Sequence, residues 1–84
     1  MATTWIDLLR RQRVKMGEAK YGPFTKENFT QSGRDSMAEG IDELVDYLNY
    51  RFMSYKEGKI SRRTWQRRKE IIGSLLHEDK TLLR

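Results

Sequence analysis

Glu39, Glu43 and Asp46 recur at four- and three-residue spacing in the run "GRDSMAEGIDELVDYLNY", Gly33 to Tyr50. At 100° per residue such a spacing places three carboxylates side by side on one helix face. An all-oxygen cluster suits a hard cation such as Mg²⁺ or Mn²⁺, which keeps several waters and completes its shell with phosphate oxygens. The same arrangement is also the ordinary solvated side of an amphipathic helix, since Met37, Ile41, Leu44, Val45, Leu48 and Phe52 gather almost opposite. Five of the twelve acidic residues lie between Asp35 and Asp46, and no Lys or Arg falls between Arg34 and Arg51. Like charges at these separations cost a few tenths of a kcal/mol per pair, a penalty that a bound divalent cation reverses. Tyr50 and Met53 continue the acidic side, which suggests that something covers its C-terminal half.

The chemistry available elsewhere is cationic. Five of the eight residues from Arg62 to Lys69 are basic. Arg63 and Arg67 fall opposite the apolar stripe of their helix, and Arg62 lies on a flank, so all three can meet phosphate or a partner. Trp65 belongs by its spacing to the apolar side. The lone histidine, His77, lies near the expected end of that helix and makes a poor catalytic base. Without cysteine there is neither a disulfide nor a thiolate metal site. No glycine-rich phosphate loop and no Ser-His-Asp set is present.

Three helices must position these groups. The first runs over about 5–20, capped by Thr4 and ended by Gly22-Pro23. The second runs over about 35–56, with Ser36, Ser32 or Asp35 as cap and Gly58 as stop. The third runs over about 61–77 behind the cap Ser61. Ile60 and Trp65 have hydrophobic-staple spacing across that cap. The long loop "YGPFTKENFTQSG" is expected to fold Tyr21, Phe24 and Phe29 back over the core. The fold class is therefore all-α, a single helical domain over 1–84.

At 84 residues with a net charge of +5, such a domain buries only about 60–65% of its unfolded surface, so a homo-oligomer is expected. No apolar run approaches the ~20 residues that cross a bilayer, and the N-terminus lacks a signal-peptide pattern. A soluble, cytoplasmic protein with no membrane partner is the expectation. The basic excess favours nucleotide, nucleic acid or an acidic protein as partner.

The segment from Lys20 to Phe52 resembles a phage-encoded group of small all-helical proteins related to the MazG nucleotide pyrophosphohydrolases. The resemblance is carried by Lys20-Tyr21-Gly22, by Gly33-Arg34-Asp35, by Glu43-Leu44-Val45-Asp46 and by the aromatic run from Tyr47 to Tyr50. It covers roughly residues 20–53. It implies Mg²⁺-dependent hydrolysis of a nucleoside triphosphate to monophosphate and pyrophosphate. Glu39, Glu43 and Asp46 would be metal ligands, and Lys20 or Arg34 would meet phosphate. The sequence departs from the group in lacking a second acidic helix with a Glu-Glu-x-x-Glu cluster. A symmetric dimer that opposes two copies of the acidic helix would supply it. The alternative is a non-enzymatic small phage protein that binds a host protein, a nucleotide or nucleic acid through its basic helix.

Overall fold

The computed structural model describes residues 4–83, and every regular element in them is helical. In order these are α1 (Trp5–Tyr21), α2 (Lys26–Gln31), α3 (Ser36–Lys56) and α4 (Arg62–Leu82). The chain divides into two compact units, 1–34 and 35–84.

In the first unit Thr4 caps α1 by accepting the Asp7 N–H. Gly22 ends it, donating its N–H to the Glu18 carbonyl at 2.9 Å. Its φ of +81° is one that a side chain disfavours. The expected long loop contains a helix. Thr25 accepts the Asn28 N–H at 3.1 Å and so starts the six-residue α2. Six residues are too few to show a 3.6-residue apolar period, which is why the element escapes a pattern search.

In the second unit Asp35, rather than Ser36, caps α3. Its carboxylate accepts the N–H groups of Met37 and Ala38 at 3.0 and 3.1 Å. After α3, Gly58 takes a positive φ and the chain turns back. Ser61 then caps α4, accepting the Thr64 N–H at 3.1 Å. The hairpin is antiparallel. Phe52 meets Trp65 beside the turn, with ring centroids 5.4 Å apart, and Leu44 and Ile72 border one depression two turns further along.

Two expectations for this hairpin are corrected. First, α4 does not stop at His77 but continues to Leu82, because the segment after His77 holds no Gly or Pro to break it. His77 is thus an exposed mid-helix residue. Second, the half-buried seam of α3 comprises Met37, Ile41, Leu44, Leu48, Arg51 and Tyr55, a 3.5-residue repeat. Val45 and Phe52, expected in the core, lie on its flank at 43% and 41% exposure. Among the described residues only Ile72 is buried, at 8% exposure. No described helix is long and apolar enough to cross a membrane.

Candidate functional site

Two concave surfaces collect the charged residues, one in each unit. The first is built by the turn that joins α1 to α2. The Asn28 side-chain amide donates to the carbonyls of Tyr21 and Pro23, at 3.0 and 2.9 Å. The Tyr21 carbonyl is one of those left open at the end of α1, and the Pro23 carbonyl also accepts the Thr25 N–H at 3.0 Å. Gly22 suits the turn by its positive φ, since a Cβ there would reach the Asn28 amide only at an ordinary van der Waals distance of 3.5 Å. Asn28→Ala is therefore expected to destabilise this turn by about 0.5–1.5 kcal/mol, the net worth of an exposed side-chain hydrogen bond. Faster amide exchange confined to residues 18–30 would report it.

The clamp fixes an aromatic stack. The Arg34 guanidinium lies over the Phe29 ring at 4.3 Å and over the Tyr21 ring at 4.6 Å. Phe24 meets Phe29 edge-on at 5.5 Å. The Lys20 ammonium stands 5.1 Å from the Tyr21 ring centre. A guanidinium held between two rings keeps its planar donors in the plane between them, fixed rather than freely rotating. Tyr21 and Phe29 therefore pack on Arg34 and Phe24 packs on Phe29, and Tyr21 and Phe24 remain exposed where a core-covering role was expected.

Beside the stack opens a depression of about 600 Å³, lined by Arg10, Arg13, Lys20, Tyr21, Phe29 and Arg34 among others. Lys20 and Arg34, the two residues expected to meet phosphate, thus share one surface. Arg10 and Arg13 join them from the preceding turns of α1. Glu18 is the carboxylate among the lining residues. Arg10 also approaches Asp7 at 4.0 Å, a marginal and exposed ion pair. Cations on an aromatic-walled surface can attract phosphate and stack a planar ring.

The second concavity lies in the seam of the α3–α4 hairpin. It measures about 340 Å³ and is lined by Glu43, Leu44, Tyr47, Arg68, Ile71 and Ile72. Of the three expected metal ligands, only Glu43 reaches it. Asp46 is exposed and Glu39 is half-buried. Among the described residues no three His, Cys, Asp or Glu side chains converge into one metal-holding group. Arg62, Arg63 and Arg67 are exposed on α4, outside both concavities.

Four residues of these surfaces lie outside the sequence-based site set: Arg10, Arg13, Arg68 and the clamp Asn28. Arg10 and Arg13 have a sequence signal, since they fall three residues apart on the helix that leads into Lys20. Asn28 has none, because its role depends on where the chain returns after Pro23. No family model, curated protein or solved structure matches this chain.

Proposed function

We propose that this chain is a nucleotide-handling protein that holds a nucleoside phosphate in the α1–α2 depression. The observation that carries the reading is the convergence of Arg10, Arg13, Lys20 and Arg34 on one aromatic-walled surface. Phosphate recognition calls for several donors with preset geometry, and the stacked Arg34 supplies such a donor. Tyr21 and Phe24 are exposed enough to receive a base.

The more specific form of this reading is a MazG-like, Mg²⁺-dependent pyrophosphohydrolase. Glu43 and Asp46 offer exposed carboxylates on adjacent turns of α3. That all-oxygen pair fits Mg²⁺, which accepts one or two carboxylates and fills the remaining positions with water and phosphate. When bound, the ion would neutralise phosphate charge and lower the pKa of a coordinated water. One chain supplies half of the acidic complement, and the acidic helix of a second copy would supply the rest. Glu39, one turn before Glu43, would orient or join the pair. The test is pyrophosphate release from a panel of nucleoside triphosphates with Mg²⁺ or Mn²⁺, comparing the native chain with Glu43→Gln. Turnover that falls by at least about a hundredfold in the variant is the expected result. Absent turnover with retained nucleotide binding would leave a binding protein and remove the enzyme.

A second reading rests on a separate observation. Arg63 and Arg67 are exposed on the side of α4 opposite its apolar stripe, with exposed Arg62 on a flank, a basic surface suited to nucleic-acid phosphates. On that reading affinity falls steeply with salt, and Arg63→Glu with Arg67→Glu weakens binding for all sequences alike.

A further inference from the structure

Each helix of the hairpin carries a second stripe besides the one that forms the seam. On α4, Thr64, Arg68, Ile71, Leu75, Glu78 and Leu82 recur at alternating four- and three-residue spacing. That is the 3.5-residue repeat of a helix that faces another helix. The stripe lies about 90° round α4 from the seam residues Trp65, Ile72 and Leu76. Its apolar members stay open to solvent, with Ile71 48%, Leu75 42% and Leu82 69% exposed. On α3, Ser36, Gly40, Glu43, Tyr47, Tyr50 and Ser54 follow the same alternation, about 100° from the α3 seam. The two stripes share one side of the hairpin, since Glu43, Tyr47, Arg68 and Ile71 border the same 340 Å³ depression. In a four-helix bundle each helix borders two neighbours, and the hairpin occupies only one of the two faces on each.

Both stripes complement themselves when reversed. Against a second α4 running the other way about residue 73, Ile71 faces Leu75, Arg68 faces Glu78 and Thr64 faces Leu82. Among the described residues neither Arg68 nor Glu78 has an ion-pair partner in its own chain. Against a second α3 reversed about residue 45, Glu43 faces Tyr47, Gly40 faces Tyr50 and Ser36 faces Ser54. Gly40 costs a helix interior about 1 kcal/mol relative to alanine, yet a Cβ there would meet nothing within 4 Å of its own chain. The Tyr50 ring of a second copy would use that space. Residues 45 and 73 stand at nearly one level, because Leu44 and Ile72 border one depression. A single twofold axis therefore serves both helices. The charges set the direction. The open end of the hairpin holds the acidic run from Asp35 to Asp46, and the turn end holds the basic run from Arg62 to Lys69. An antiparallel pair lays each acidic end on a basic end, whereas a parallel pair sets like charge on like.

We propose that the hairpin pairs with a second copy of this chain through this face, antiparallel, to form a four-helix bundle. Two 21-residue helices present a face about 30 Å long and two helix diameters wide. That is of the order of the ~800 Å² per partner that a stable interface buries. The proposal goes beyond the nucleotide reading, whose depression lies in the other unit. It also brings a second acidic helix beside the first, as hydrolysis would need.

Sedimentation equilibrium of the full chain tests it. The native chain is expected to be a dimer at micromolar concentration. Ile71→Ser should weaken the dimer at least tenfold, while Val45→Ser, on the far flank of α3, leaves it intact. Both positions are exposed in the single chain, so circular dichroism should show the helices kept. Arg68→Glu and Glu78→Arg should each weaken association at least tenfold, and an equal mixture of the two variants should recover it. Unlike charges then meet again across the axis, which no contact within one chain can imitate. The chain has no cysteine, so Lys59→Cys carries a single spin label. Two such labels are expected about 30 Å or more apart, the length of a helix, whereas a parallel pair would bring them together. A chain that stays monomeric, a mixture that fails to recover, labels side by side, or dissociation by Val45→Ser in place of Ile71→Ser overturns the proposal. A dimer that binds no nucleotide supports it and removes the nucleotide reading, while nucleotide binding by a monomer does the reverse.

Discussion

Replacing Arg10 and Arg13 together with glutamate is expected to weaken nucleoside triphosphate binding by at least about a hundredfold, measured by calorimetry at fixed salt. A hydrogen bond to a charged group contributes about 1.5–3 kcal/mol, so the loss of two such donors accounts for that factor or more. Two new carboxylates beside the phosphates add repulsion. Both positions are exposed on α1, where Glu is a good helix former, so the helix itself should persist. Arg10 loses only a 4.0 Å contact with Asp7. Circular dichroism should therefore remain native while affinity collapses. A double variant that binds as well as the native chain would remove the α1–α2 depression as the nucleotide site. Arg34 is a poorer residue for this test, because its packing against Tyr21 and Phe29 makes any loss ambiguous between binding and folding.

The second large effect concerns stability. Ile72→Ala should destabilise the hairpin by about 2–4 kcal/mol, the range for truncating a buried isoleucine. In a domain of this size that corresponds to a fall in Tm of roughly 10–30 °C. In the dissociated chain the neighbouring Ile71→Ala should cost under about 1 kcal/mol, because Ile71 is there already 48% exposed. Thermal melts of the two variants beside the native chain decide the matter. Equal effects at 71 and 72 would mean that the exposed flank of α4 is covered in solution, as the expected homo-oligomer requires.

The caps made the helices legible. Thr4, Ser61 and Gly58 mark boundaries through short-range hydrogen bonds or backbone sign, and these depend on a few adjacent residues. What the sequence left obscure depends on longer reach. The α3 seam follows the path that α4 takes after the turn, so a cation at 51 is drawn inward while Phe52 moves to the flank. A straight-helix wheel ranks Phe52 as core because it sums hydrophobicity without a partner axis. The candidate sites divide in the same way. Lys20 and Arg34 stood out through the resemblance as residues that could meet phosphate. Their meeting with Arg10 and Arg13 depends on the Asn28 clamp, which joins residues five and seven positions apart. The acidic cluster was the most visible chemistry in the chain, yet only Glu43 enters a concavity. Helix spacing puts carboxylates near one another on a surface, but the opposing helix decides which of them borders an enclosed space.

The turn between α3 and α4 has a kinetic consequence. It joins two 21-residue helices through the five residues Glu57–Ser61, so the first contacts to form, Phe52 with Trp65, close a very short loop. Later contacts extend outward from the turn in order. Helical topologies dominated by such local pairing fold in microseconds to milliseconds. Each opening of a hairpin with one shielded isoleucine is therefore brief, while the total time it spends open, and so its exposure to a protease, follows its stability and not its speed.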